Sequence, residues 1–257
     1  MTIIKKSYIN RFSLKYGINP HQKSASIFSL ENDNLPFSVL NGRPSYTNIL
    51  DAINAWCLVK ELDESIKLPA ATSFKHVSPA GAAVGLELDE TLLKVYDCQN
   101  IEISPMASAY IRARGTDPLA SYGDFIGLSR GVDLCTAKII KKNVSDGIIA
   151  PDFEDESLKI LKEKKGGEYV ILKVNPEYRF PEMEFRELNG VILSQQRNDI
   201  EISKELILKK IVTKNFNFPS DSCRDLVLAT ISLKYTQSNS IVFALNGQTI
   251  GIGAGQQ

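Results

Sequence analysis

Lys75 and His76 are adjacent, and they follow a short apolar run in the stretch ATSFKHVSPAGAAVG, residues 71–85. An imidazole titrates near neutrality and can move a proton, while a neighbouring ammonium can stabilise an oxyanion and keep the histidine neutral. We expect a buried strand to end at this pair and a helix to begin after Pro79, a junction where α/β proteins commonly hold ligands. A surface lysine beside a structural histidine is the alternative.

The stretch KYGINPHQ, residues 15–22, contains the second histidine, His21. Its Gly, Asn and Pro residues indicate a loop. Lys15 and Tyr16 are suited to bind a phosphate group or a ring, and a purely structural turn is the alternative interpretation. We expect His21 to matter mainly for the fold of this loop.

Glycine and aspartate occur together in SYGDF and VSDGIIAP, where Asp124 and Asp146 are candidates for binding sugar hydroxyls. Capping of a helix or turn explains both residues equally well. The stretch IGIGAG is not a dinucleotide-binding fingerprint, because its spacing is G-x-G-x-G and no helix opening follows.

Composition excludes several classes of protein. Thirty basic and thirty acidic side chains cancel, which removes the electrostatic argument for nucleic acid or a membrane surface as a partner. The four cysteines form no C-x-x-C motif and there are two histidines, so no zinc signature can be written. No apolar stretch approaches the ~18 residues of a membrane span. We expect reduced thiols and a cytoplasmic protein.

Short apolar strands alternate with helices through most of the chain, which indicates an α/β fold. The stretch PSYTNILDAINAWCLVKEL predicts an amphipathic helix capped by Ser45 or Thr47. From about Gln195 to Gln237 the pattern is mostly helical. Asn246-Gly247 between two apolar runs then predicts a β-hairpin.

Together these stretches resemble a known family. KYGINPHQ, LNGRPSYTNILDAINAW, SFKHVSPAGAAVG, SYGDFIGLS, VSDGIIAP, LSQQRN, RDLVLATISLKYTQSNS and NGQTIGIGAGQQ stand in the order of the transformylase domain of AICAR formyltransferase/IMP cyclohydrolase. AICAR is 5-aminoimidazole-4-carboxamide ribonucleotide. The resemblance covers nearly the whole chain.

The resemblance implies fold and activity. It implies a cytidine-deaminase-like three-layer lobe over residues 1–194, then a helical insert and the first strands of a second, incomplete lobe over residues 195–257. Enzymes of this kind transfer a formyl group from 10-formyltetrahydrofolate, a co-substrate, to the 5-amino group of AICAR. They use no catalytic metal and work as homodimers. Whether a monovalent cation binds near YTQSNS is left open.

The resemblance also assigns residues. Lys75 and His76 match the catalytic pair, with His76 as proton shuttle and Lys75 as oxyanion stabiliser. The AICAR-binding positions are matched by Lys15, Tyr16, Gly123, Asp146 and Asn239. Lys15 stands where the family usually has Arg, which keeps the positive charge but loses the bidentate fork.

The length of the chain departs from the family. Family members continue after GIGAGQQ with more than a hundred further residues, so from the resemblance we expect a protein that lacks the C-terminal part of the transformylase and the cyclohydrolase domain that normally precedes it. A stand-alone transformylase explains the missing cyclohydrolase domain, while the C-terminal difference suggests a truncation. Two alternatives therefore stay open: a non-catalytic AICAR-binding protein, and a fragment that needs a second chain.

Overall fold

The structure is a computed structural model that describes residues 3–31 and 33–255. Its strands are β1 Tyr8–Ser13, β2 Ser26–Leu30, β3 Phe37–Asn41, β4 Ala70–Lys75, β5 Ser78–Val84, β6 Asp124–Leu128, β7 Ser145–Ala150, β8 Val170–Val174, β9 Met183–Leu188, β10 Val191–Gln196, β11 Ile241–Leu245 and β12 Gln248–Gly253. Its α-helices are α1 Tyr46–Ile66, α2 Glu90–Val95, α3 Pro105–Gly115, α4 Leu134–Lys142, α5 Asp155–Lys162, α6 Lys204–Leu208 and α7 Ser220–Lys234.

Within the described residues, eight strands form one mixed sheet in the order β11-β12-β5-β4-β6-β7-β8-β3. The central strands β6, β7 and β8 are parallel, and the remaining neighbours pair antiparallel. Parallel neighbours need crossover connections, and α4 and α5 supply them. The predicted α/β class is confirmed.

Helices cover both faces of the sheet because successive strand residues point to opposite sides. Phe125 and Ile149 belong to the core under α1 and α7. Ile126 and Ile148, their chain neighbours, belong to the core under α3, α4 and α5. The result is a three-layer arrangement with one hydrophobic core on each side of the sheet.

Helix α1 begins as the sequence predicts, and Ser45 is its N-cap. The Ser45 hydroxyl accepts from the Asn48 N–H, and the Asn48 side chain accepts from the Ser45 N–H. This reciprocal pair satisfies two backbone donors that the helix itself leaves free.

The prediction of a helix after Pro79 is wrong, because residues 78–84 form β5. The small residues that favoured a helix instead let α3 lie close against the strand. A Cβ at Gly81 would stand 2.0 Å from the Ala113 carbonyl oxygen. Pro79 is tolerated in the strand because the register shifts there, between Ser73 and Phe74 of the partner.

The stretch from Gln195 to Gln237 is less helical than predicted. It begins inside β10, and its α-helices are residues 204–208 and 220–234. The predicted hairpin is confirmed, and β12 adds to the main sheet through the pairing of Gln248 with Ala83. A domain boundary at residue 194 and the relation to cytidine deaminases stay predictions. Gln256 and Gln257 of the last motif lie outside the described residues.

Candidate functional site

The Lys75–His76 pair lies at a two-residue hairpin turn. Lys75 pairs with Ser78 across the end of β4 and β5, so His76 and Val77 form the turn. Both have positive φ, 53° and 62°, as in a type I′ turn, which favours Asn-Gly. A β-branched residue at positive φ is an outlier, and such outliers cluster at functional sites. The expected strand-to-helix junction is therefore wrong, because the strand β5 follows the turn.

A buried carboxylate lies under this turn. Asp51, in the second turn of α1, is 5% exposed, and its Oδ1 accepts a hydrogen bond from the Val77 N–H at 2.7 Å. Burial raises the pKa of Asp51, which the Val77 amide and the nearby His76 charge partly offset. His76 itself is exposed. The helix thus holds the backbone of the turn while the imidazole faces solvent.

Lys75 is held from the neighbouring strand. Its Nζ donates to the Tyr122 carbonyl oxygen at 2.6 Å, in the loop that leads into β6. That loop is fixed in turn, because Arg114 Nη1 donates to the Ser121 carbonyl oxygen at 2.7 Å and the Ser73 hydroxyl donates to the Ser121 hydroxyl at 2.7 Å. The ammonium therefore has a defined place beside the imidazole turn.

The two candidate aspartates differ in accessibility. Asp124 is fully buried and pairs with Arg114 at 3.3 Å, so it has no surface for a sugar hydroxyl. Burial raises the pKa of Asp124 to about 6, and its Oδ2 has no hydrogen-bond partner among the residues described. Asp146 has a side chain 47% exposed, and it pairs with Lys165 at 2.5 Å. Asp146 can meet a ligand.

Gly123 and Asp146 lie at the same end of the sheet as Lys75. The Gly123 N–H donates to the Val144 carbonyl oxygen at 3.2 Å, and Gly123 has φ 75°. A Cβ built at Gly123 would stand 4.0 Å from Asp146 Oδ1. Glycine therefore keeps this loop in a conformation that other residues disfavour and leaves space in front of the carboxylate.

The loop with Lys15 and Tyr16 meets the start of α1. The Lys15 N–H donates to the Pro44 carbonyl oxygen at 2.9 Å, and the Tyr16 carbonyl oxygen accepts from Tyr46 at 3.0 Å. Lys15 is exposed and Tyr16 is half-buried. Because Asp51 lies in this same end of α1, the loop and the His76 turn share one end of the helix. His21 is exposed in the predicted loop.

Asn239 follows α7 in an exposed loop. Two residues earlier, the Gln237 N–H reaches the Ser78 hydroxyl at 3.4 Å, which brings this loop to the base of the β4–β5 turn. A cavity of about 520 Å³ opens here, lined by Val77 and Arg197 among others. The structure thus brings all seven predicted site residues to one end of the fold.

Asp51 and Arg114 are supporting residues that the sequence analysis missed. Asp51 does leave a signal, because it shares the buried face of α1 with Ala55, Leu58 and Leu62 at spacings of four, three and four. A carboxylate on an apolar helix face needs a partner. Arg114 leaves no such signal, because its partners Ser121 and Asp124 lie in the loop and strand that follow α3, where no periodic pattern marks the contact.

Two further observations concern metals and membranes. Among the described residues, no group of three or more His, Cys, Asp or Glu side chains is arranged to hold a metal ion. None of the helices in that part of the chain combines the length and apolarity needed to cross a membrane.

The fold and the site define a three-layer α/β protein whose seven predicted site residues lie at one end of its main sheet. The chain matches the model of the AICARFT/IMPCHase bienzyme family over residues 2–257. It therefore belongs to that family.

Curated relatives include the bifunctional purine biosynthesis protein PurH of Thermoanaerobacter sp. (strain X514), 33% identical over 256 residues. The protein of the same name from Clostridium kluyveri (strain ATCC 8527) is 32% identical over 255 residues. These alignments cover 97% of this chain but only 44% and 45% of the relatives. The chain thus spans less than half the length of the relatives it matches.

Proposed function

We propose that this protein transfers the formyl group of 10-formyltetrahydrofolate to the 5-amino group of AICAR, giving formyl-AICAR and tetrahydrofolate in purine biosynthesis. The observation that carries the proposal is the Lys75–His76 pair on a solvent-facing turn beside Gly123 and Asp146. Family membership and the name of the relatives support the same reaction.

His76 serves as the proton acceptor. The AICAR amine is a poor nucleophile because its lone pair is delocalised into the imidazole ring. As the amine nitrogen bonds to the formyl carbon, the His76 imidazole takes the proton that the nitrogen loses. General-base assistance of this kind contributes ~10²–10⁴ in rate. When the bond between the formyl carbon and the folate N10 breaks, the imidazolium can return the proton to N10.

Lys75 stabilises the charge on the formyl oxygen in the tetrahedral adduct. Its ammonium is already placed by the Tyr122 carbonyl, 2.6 Å away, so little reorganisation is needed during the reaction. That bond uses one of the three N–H donors of the ammonium. The other donors are available to an oxyanion in front of the turn.

The nucleotide is bound by the groups around the pair. Lys15 supplies positive charge for the phosphate, Tyr16 lies beside it, and Gly123, Asp146 and Asn239 contact the ribose and base. The salt bridge between Lys165 and Asp146 has to open or share its carboxylate when the ribose binds. Lysine in place of arginine at position 15 keeps the sign of the phosphate interaction.

The test is a turnover assay on the purified chain with AICAR and 10-formyltetrahydrofolate, followed by the absorbance of tetrahydrofolate. We expect His76→Ala to lower kcat by ~10²–10⁴ with little change in AICAR affinity. His21→Ala is the matched control, because it removes the other exposed histidine. Equal losses of turnover and affinity in His76→Ala would contradict a proton-transfer role.

A second candidate function is nucleotide binding by a chain that needs another polypeptide for catalysis. The outer strand β11 favours it, because Ile241, Phe243 and Leu245 are 65%, 64% and 55% exposed. An exposed apolar edge strand is a template for pairing with another chain. AICAR-dependent thermal stabilisation without turnover, together with turnover gained on adding the C-terminal half of a PurH relative, would support this candidate.

Homodimer formation and a cytoplasmic location stay predictions, and a monovalent cation near YTQSNS stays an open question. Light scattering of the purified chain checks the first. A comparison of its thermal stability in potassium and in tetramethylammonium salts checks the last.

A further inference from the structure

The His76–Val77 turn has a conformation that its sequence disfavours. Both residues have positive φ, and Val77 is β-branched. For such a residue the left-handed region brings the side chain against the backbone, so an isolated His-Val turn would populate other conformations. Conformations of this kind persist where the surrounding structure over-determines them. Some contact must therefore hold this turn.

Asp51 makes that contact. Its carboxylate is 5% exposed and accepts from the Val77 N–H at 2.7 Å. A hydrogen bond from a backbone amide to a carboxylate is stronger than one between neutral groups, and burial strengthens it further. Burying a carboxylate is costly, so this position needs a compensating role.

We propose that Asp51 is a positioning residue for the catalytic step: its carboxylate holds the strained turn and so fixes where the His76 imidazole stands. This inference rests on the proposed function. Asp51 touches the turn through the backbone amide of Val77, beneath the exposed imidazole. Replacing Asp51 therefore affects the rate of proton transfer more than the binding of the nucleotide.

The chain contains a matched case. Asp225, the sixth residue of α7 as Asp51 is of α1, accepts from the N–H groups of Asn246 and Gly247 at 2.7 Å each. That turn also has positive φ at both residues, 49° and 73°. Its Asn-Gly sequence adopts this conformation readily. Both carboxylates thus accept hydrogen bonds from backbone N–H groups of a turn with positive φ. Only Asp51 does so for a turn whose sequence disfavours that conformation.

The experiment compares Asp51→Ala with Asp51→Asn, Asp225→Ala, Val77→Gly and the double variant Asp51→Ala/Val77→Gly. Circular dichroism checks that each variant folds. The readouts are kcat and KM for AICAR, the hydrogen-exchange rate of the turn amides by NMR, and the imidazole resonances of His76.

We expect Asp51→Ala to lower kcat by about tenfold or more with a much smaller change in KM, and to accelerate exchange at Val77 by about tenfold. Val77→Gly removes the strain, so the double variant should recover most of the lost kcat. Asp51→Asn, which keeps an acceptor oxygen, should lose less than Asp51→Ala. Asp225→Ala should accelerate exchange at Gly247 and leave kcat within about twofold.

Three outcomes would overturn the proposal: unchanged kcat in Asp51→Ala, no recovery in the double variant, or an equal loss of kcat in Asp225→Ala. If the unmodified chain transfers no formyl group, the proposed function fails by itself. The exchange rate of Val77 and the His76 resonances need no substrate, so they still decide whether Asp51 holds the turn. Unchanged values of both in Asp51→Ala would reject it.

Discussion

The turn joining β4 to β5 and the turn joining β11 to β12 have the same backbone conformation and the same type of supporting contact, but different sequences. Each consists of two residues at positive φ, and in each a buried aspartate from the sixth position of a helix accepts backbone N–H groups. The first turn is His76-Val77 and the second is Asn246-Gly247. Asn-Gly fits the required dihedral angles, whereas His-Val fits them poorly.

The difference supports the catalytic role that we propose for the first turn. If only the hairpin mattered, Asn-Gly would serve at both places at less conformational cost. A histidine and a valine in strained conformations, next to a lysine, indicate that side-chain chemistry outweighs local stability there. The second turn has the same backbone conformation and the same kind of aspartate contact, but its residues suit that conformation. Asp225, which binds it, also pairs with Arg224 at 3.0 Å.

Replacing the residue just before each turn tests this contrast most strongly. Lys75 pairs with Ser78 before the first turn, and Leu245 pairs with Gln248 before the second. We expect Lys75→Met to lower kcat by about 10²–10³, the usual loss of one oxyanion donor. Leu245→Met should leave kcat unchanged. Turnover is measured by the absorbance of tetrahydrofolate. If Lys75→Met lowers kcat as little as Leu245→Met does, the first turn has no catalytic role that the second lacks.

A β-branched residue in the second turn tests the strain. We expect Gly247→Val to lower the free energy of unfolding by about 3 kcal/mol, since it adds strain and overpacking. A Cβ at Gly247 would stand 2.7 Å from Leu86 Cδ1. Gly190→Val, with φ 83° and no atom of the described residues within 4 Å of its Cβ, isolates the strain and should cost less. Urea denaturation measures both, and equal losses would assign the effect to strain alone.

The surroundings of the first turn contain a second buried carboxyl, and its pKa predicts a pH dependence. Burial raises the pKa of Asp124 from 3.8 to about 6, so the folded state holds this proton more tightly than the unfolded state. Stability from this group is present below pH 3.8 and is lost as pH rises toward 6. The loss amounts to about 3 kcal/mol.

Asp124→Asn removes this titration. Between pH 4 and pH 7 the free energy of unfolding of the unmodified chain should therefore fall by about 2 kcal/mol more than that of the variant. Urea denaturation at several pH values measures the gap. If the unfolding free energies of the two proteins change with pH in parallel, the pKa of Asp124 is not raised in the folded state.

The two helices that carry the aspartates differ at their N-cap residue, and this difference predicts the smallest effect. Ser45 caps α1 through a reciprocal hydrogen-bond pair, whereas Pro219, the N-cap of α7, makes no side-chain cap bond among the described residues. We expect Ser45→Ala to cost about 1 kcal/mol of unfolding free energy. Thr47→Ala, the other candidate from sequence, should cost less. The reverse order, measured by thermal denaturation, would place the cap at Thr47.

Local sequence patterns predicted those parts of the fold that depend on interactions between residues close together in the chain. The helical period of α1, its Ser45 cap and the Asn246-Gly247 hairpin were all predictable, because neighbouring residues fix them. The strand β5 was not, since Ala-Gly-Ala-Ala also suits a helix. Its conformation follows from its pairing with β4 and β12, and the close approach of α3 explains only why no Cβ fits at Gly81.

The sequence by itself determined which residues are at hand: a lysine beside a histidine, a set of polar residues that we propose to bind a nucleotide, and an α/β alternation. Only the tertiary structure decided that the pair stands on a strained turn and that Asp51 lies beneath it. It also decided that Asp124 is buried while Asp146 is accessible. The physical reason is that the contacts and the solvent exposure of these groups depend on how separate helices, strands and loops pack together, which the sequence of each segment does not specify.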